Sequence, residues 1–273
     1  RYAIRHPHSR VVGIDVSEAS IDHTRQLAQR HELGNLELHV LPVEDVVELG
    51  RSFDHVVCTG VLHHLADPAA GLQALRDVLD PDGAISLMVY ATYGRTGVYM
   101  IQEYCRRVGI GLSPDEIDDL VATLREVPMG HPVSHLLRST PDFRDPDALA
   151  DAMLNPRDRS YTVPETLALV RGAGLRFGRW LRQAPYLPTC GSLAETPHGQ
   201  RIAELPVEDQ YAAVELFRGT MTRHSLIAHR DGLPVGPWTP RFTTPACSAY
   251  VPVRPDTVIS VEERLPPGAA AAL

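Results

Sequence analysis

The sequence predicts an open, parallel α/β sheet covered by helices on both faces. Three features carry that prediction. Short β-branched runs alternate with helical patterns through the first 90 residues. Each helical pattern opens on a capping residue, and Gly or Pro punctuates the joins. Such alternation implies right-handed β-α-β crossovers, because a helix packs back onto a twisted sheet only with that hand.

Arg10-Val-Val-Gly-Ile-Asp15 is an apolar run ending in an acid and reads as a first strand. Ser17 stands at the N-cap of the next helix; Ile21, Thr24, Leu27 and Ala28 lie near one face, and Gly34 is a stop signal. Residues 36–41 read as a second strand broken by Pro42, and residues 53–59 as a third. Asp67 caps the following helix with Pro68 at its first position, and Leu72, Leu75, Val78 and Leu79 supply the apolar face. Pro81-Asp82-Gly83 predicts a turn and residues 84–90 a fourth strand. From 91 to 160 helical patterns dominate. Ser113-Pro-Asp-Glu116 is a capping box launching a helix to about Val127; 128–146, rich in Pro, His and Asp, reads as a loop, and a short helix follows to Leu154. Thr162-Val-Pro-Glu165 is a second capping box, with Gly172 or Gly174 as the stop. Residues 175–182 and 224–229 read as strands, with a helix over 207–221 between them.

Composition narrows the chemistry. All 26 basic residues are arginine. Without lysine the chain has neither a Schiff-base lysine nor a phosphate loop ending Gly-Lys-Ser/Thr. A net charge of −8 argues against a generally basic nucleic-acid binder. No apolar run reaches the roughly 18 residues that span a bilayer. Cys58, Cys105, Cys190 and Cys247 are widely spaced, which suits a reduced, cytoplasmic setting and excludes a zinc knuckle.

Ligands of an open parallel sheet bind beyond the carboxyl ends of its strands, so three strand ends matter. Asp15 is placed to accept ribose hydroxyls or to cap the helix. Val43 and Glu44 can offer an adenine edge a main-chain N–H and a carboxylate, or be a solvated loop. Gly60 admits close approach of a ligand to the backbone or is a turn glycine.

Together these residues resemble the class I S-adenosylmethionine-dependent methyltransferases of the small-molecule type. The likeness covers residues 10–90. It rests on Val-Val-Gly-Ile-Asp-Val-Ser at 11–17, Phe-Asp-His-Val-Val-Cys-Thr-Gly-Val-Leu-His-His-Leu-Ala-Asp-Pro at 53–68, and Leu-Asp-Pro-Asp-Gly-Ala at 79–84. The resemblance implies a Rossmann-like sheet whose final strand is antiparallel, and S-adenosyl-L-methionine as cofactor. Asp15 would hold its ribose with Val16 against the adenine. Val43 and Glu44 would flank the adenine edge, Thr59 would contact the methionine moiety, and Gly60 would border the reactive methyl. His64 would stand at the active-site mouth. Two departures accompany the resemblance: Pro42 replaces an acid common in the family, and the family's first strand and glycine-rich loop have no counterpart here. The chain is therefore expected to be N-terminally truncated, with the absent strand between those at 10–15 and 53–59, and to bind the cofactor weakly.

His64 admits two readings, a general base for an O-, N- or C-nucleophile or a packed loop histidine. A metal at His63 and His64 is not expected, because the loop has no carboxylate. His131 and His135 read as loop histidines. Tyr93, Arg95 and Tyr99 follow the fourth strand and either line a small-molecule substrate pocket, Arg95 binding an anion, or lead into a helix. Residues 158–162 return the chain to the sheet and bring Tyr161 towards the same place. The expected organisation is a partial cofactor core at 1–97, a helical lid at 98–160, the rest of the sheet with an inserted helix at 161–230, and a Pro-rich tail at 231–273. Arg218 and Arg223 are expected in solvent or paired with Glu204, Glu208 or Glu215. Two rival functions remain: an NAD(P)-dependent oxidoreductase using Asp15, against which the missing Tyr-x-x-x-Lys argues, and a non-catalytic methyltransferase-like module. The sequence leaves the oligomeric state open.

Overall fold

A computed structural model describes residues 2–139 and 145–231; the expected tail at 231–273 lies almost wholly outside them. Helix α1 (Tyr2–Arg5) leads into β1 (Val11–Asp15), α2 (Glu18–Arg30) and β2 (Leu36–Val40). A 3-10 turn over Val43–Leu49 then precedes β3 (Phe53–Thr59), α3 (Pro68–Asp77) and β4 (Leu79–Tyr90). Ser17 accepts from the Ser20 amide at the head of α2, and one Asp67 oxygen accepts from Ala69 and Ala70 at the head of α3. Helix α2 stops at His31 rather than at Gly34. Strand β4 takes in the expected turn: Phe53 pairs with Leu79 and His55 with Ala84, so the Pro-Asp-Gly segment bulges without ending the ladder.

The helical section comprises α4 (Thr96–Val108), α5 (Pro114–Arg125), α6 (Ser134–Ser139) and α7 (Pro146–Leu154). Helix α6 corrects the expected loop at 128–146 and carries His135. Its Leu136, with Val133 just ahead of it, packs on Val98, Ile101, Leu120, Leu124 and Met153, and this burial outweighs the local loop signal. The chain then returns through α8 (Val163–Gly172), β5 (Leu175–Trp180), α9 (Pro197–Ala203), α10 (Val207–Arg218) and β6 (Arg223–Arg230). Helix α10 ends at Gly219, short of the expected Met221, because Gly219 adopts the left-handed conformation.

The strands form two sheets. In one, β1 pairs in parallel with β2; in the other the order is β3-β4-β6-β5, with β6 antiparallel to both neighbours. No ladder joins β1 to β3 among the described residues, so the strands fall into two sheets. The main core lies on the four-stranded side, around Leu72, Leu75, Ile85, Leu87, Trp180 and Leu226.

Arg223 is exposed, in keeping with one of its two expected readings, whereas Arg218 and the three glutamates need a correction. Glu215 and His224 are fully buried together, with His224 Nε2 3.0 Å from Glu215 Oε1, and Glu215 Oε2 accepts from the Val163 amide at 2.8 Å. The Tyr186 hydroxyl lies 2.8 Å from His224 Nδ1. This buried chain ties β6 to α10 and α8. Arg218 donates instead to the Cys190 carbonyl, and Glu208 receives Arg171. No helix among the described residues is long and apolar enough to cross a membrane.

Candidate active site

At the end of β1 the Asp15 carboxylate is exposed, and its Oδ1 accepts from the Ser17 amide at 2.8 Å. That bond fixes the carboxylate at the mouth of α2. One oxygen is tied into the turn while the side chain faces solvent. Val16 is 70% exposed beside it, a bare apolar surface. Glu44 is exposed on the 3-10 turn, whereas the Val43 side chain is buried in the core, so only its main chain can face an adenine. At the end of β3, Thr59 is exposed and Gly60 has φ +78°. A Cβ on Gly60 would meet no atom within 4 Å, so the backbone borders open space and adopts a conformation disfavoured for any other residue. The donor set fits the nucleoside half of S-adenosylmethionine: an acid for the ribose, an exposed apolar residue and a second acid for the adenine. The described residues supply Thr59 and Gly60 for the methionine half.

A second group of residues gathers after β3 and β4. Three main-chain bonds bring it together: Arg159 N to the His63 carbonyl at 3.0 Å, Tyr161 N to the Tyr90 carbonyl at 2.8 Å, and Thr92 N to the Tyr161 carbonyl at 3.1 Å. Tyr161 thereby forms a parallel bridge with Ala91, as the expected return of the chain required. The close approach of α4 needs Gly97, where a Cβ would come within 2.1 Å of the Val133 backbone.

The returning segment carries Asp158, whose side chain is 1% exposed, against His64 and Arg95. Asp158 Oδ1 lies 4.0 Å from His64 Nδ1; Oδ2 accepts from Gln102 at 2.9 Å and from Arg95 at 3.5 Å. Asn155 Nδ2 is 3.2 Å from His64 Nδ1. His63 is fully buried, stacked on the Tyr90 ring at 3.9 Å between centroids and edge-on to His64 at 4.3 Å. Burial, with the neighbouring His64 and Arg95, holds His63 neutral down to a pKa of about 3. Both its ring nitrogens and Asp158 Oδ1 lack hydrogen-bond partners. Each such buried group left unmet costs about 1–3 kcal/mol.

Among the expected substrate residues, Arg95 and Tyr99 join this cluster, with the Arg95 guanidinium 3.6 Å above the Tyr90 ring and 5.9 Å from the centre of Tyr99. Arg95 is buried, and Asp158 already answers its charge, so the expected handle for an anionic substrate is committed inside the fold. Tyr99 is half-buried, and burial raises its hydroxyl pKa. Tyr161 is buried under Arg159, while Tyr93 is exposed on the turn before α4. Sequence reasoning missed Asp158, Asn155 and Gln102. A signal for Asp158 existed: it is the acid at the head of the segment that returns to the sheet.

Residues 1–85 match the family model described as a methyltransferase domain. An uncharacterized protein of Synechococcus sp. is 27% identical over 85% of this chain and 57% of its own length. A ubiquinone biosynthesis O-methyltransferase of Neisseria meningitidis serogroup C is 36% identical over 28% of this chain and 32% of its own. PKMT2 from Rickettsia typhi, solved in complex with AdoHcy, shares the fold with a TM-score of 0.67 at 17% identity, over 85% of this chain and 46% of that one. Residues 1–85 thus resemble a methyltransferase domain, and the chain shares its Rossmann-like fold with PKMT2. It spans about half the length of the Synechococcus protein and of PKMT2.

Proposed function

We propose that the chain contributes to S-adenosylmethionine-dependent methyl transfer onto a small-molecule acceptor. The observation that carries this reading is the pair of strand ends: an exposed Asp15 held by the Ser17 amide, and Gly60 bordering open space. When bound, S-adenosylmethionine supplies an electrophilic methyl group. Asp15 accepts the ribose hydroxyls, Val16, Val43 and Glu44 border the adenine, and Thr59 and Gly60 border the methionine end. Tyr93, Tyr99 and Tyr161 shape the acceptor side, and Arg95 acts there through Tyr90 and Asp158 rather than by direct charge.

His64 is the general base in this reading. A neutral imidazole there can take the acceptor's proton on a ring nitrogen. Holding the acceptor in line with the methyl group supplies much of the acceleration in such a reaction.

Ultraviolet crosslinking of methyl-labelled S-adenosylmethionine to this chain tests the reading, because crosslinking captures weak complexes. Labelling that is lost in Asp15→Ala and unaffected by excess NAD supports it, with isothermal titration showing little heat. Labelling equal in Asp15→Ala, or abolished by NAD, overturns it.

A further inference from the structure

We propose that His63, His64 and Asp158 form a binding site for a first-row divalent transition metal such as Zn²⁺ or Co²⁺. One ligand atom from each residue lies within 4.8 Å of the other two. Independently of that proximity, both His63 ring nitrogens and Asp158 Oδ1 are buried without hydrogen-bond partners, so these lone pairs are left unanswered by the protein. Two imidazoles and one carboxylate suit zinc, cobalt or iron; Mg²⁺ and Ca²⁺ want mostly oxygen ligands.

The surroundings support the ligands. Gln102 donates to Asp158 Oδ2 at 2.9 Å, which orients the carboxylate and leaves Oδ1 for the ion. His63 is held against Tyr90 by stacking, so its ring direction is fixed. Binding at the roughly 2.0–2.2 Å that zinc requires would take side-chain rotation of His64 and Asp158 towards His63. Arg95 opposes a cation, yet its guanidinium touches the other Asp158 oxygen and the Tyr90 face, away from Oδ1. Its charge makes this a site of moderate affinity rather than a structural zinc centre. Three protein ligands leave a position open, as in catalytic zinc sites, and the 22% exposed His64 side chain marks the way in. The sequence argued against a metal because the loop after β3 has no carboxylate; the fold brings one from the far end of the helical section. The proposal does not rest on the methyl-transfer reading, and with an ion bound His64 would be a ligand instead of the general base.

The test is a Co²⁺ titration of the chelator-treated chain, read by visible absorption, with equilibrium dialysis against Zn²⁺ for stoichiometry. One Zn²⁺ per chain and Co²⁺ bands that Zn²⁺ displaces are expected. His64→Gln and Asp158→Asn should each weaken Co²⁺ binding by more than about 100-fold, beyond the usual effect of an outer-shell change. His23→Gln, on the exposed face of α2, should leave it unchanged. No binding, binding insensitive to both ligand variants, or displacement by Mg²⁺ overturns the proposal. His64 is partly exposed, so His64→Gln carries the test if Asp158→Asn does not fold.

Discussion

The β1–β2 pair and the four-stranded sheet are built from equally good strand sequences, yet they differ in what surrounds them. No residue of β1 or β2 is fully buried, whereas β4 buries six of its twelve residues and β6 buries His224, Leu226 and Ala228. A two-stranded ribbon is marginal without neighbours, while a sheet with helices on its face holds a core. Asp15 thus rests on the weaker half, and the His64–Asp158 cluster on the stronger one.

The largest expected contrast is in stability. Trp180 is fully buried and stacked on Tyr186 at 4.1 Å between centroids. Trp180→Ala should cost about 3–5 kcal/mol in denaturant unfolding followed by circular dichroism. Val12→Ala in the ribbon should cost under about 1 kcal/mol. Equal losses would mean that the two halves share one core.

The pH dependence separates the halves next. Burial raises the Cys58 thiol on β3 from 9.0 to about 12. The unfolded thiol ionises first, so stability is full below pH 9.0 and is lost as pH rises towards about 12. The slope from this group is at most about 1.4 kcal/mol per pH unit. Cys58→Ala should flatten it in unfolding curves taken across that range; an unchanged slope would assign it to other groups.

The smallest contrast concerns the helix caps. Asp67→Ala, which strips two amides at the head of α3, should lower global stability by about 1 kcal/mol. Ser17→Ala at the head of α2 should change global stability less, and instead speed amide exchange locally, because the ribbon can open before the core does. A Ser17→Ala loss as large as that of Asp67→Ala would place α2 within the main cooperative unit.

Local chemistry made most elements legible. Ser17, Asp67, Ser113 and Thr162 each cap the helix expected of them, since a cap depends only on residues within one turn. The strand ends that carry Asp15 and Gly60 were legible for the same reason. Helix α6 was not, because its stability comes from packing on α4, α5 and α7 rather than from its own pattern. Arg95 was legible as a cation near the site but not as a buried one, since its partner lies 63 residues further along the chain.

The sequence by itself determined the β-α-β order, the caps and the strand-end residues, because each follows from contacts between near neighbours in the chain. Only the tertiary structure decided that Asp158 faces His63 and His64, that Glu215 answers His224, and that β1 and β3 do not pair. Those outcomes depend on where the chain returns, and the main-chain bonds of Arg159, Tyr161 and Thr92 set that return.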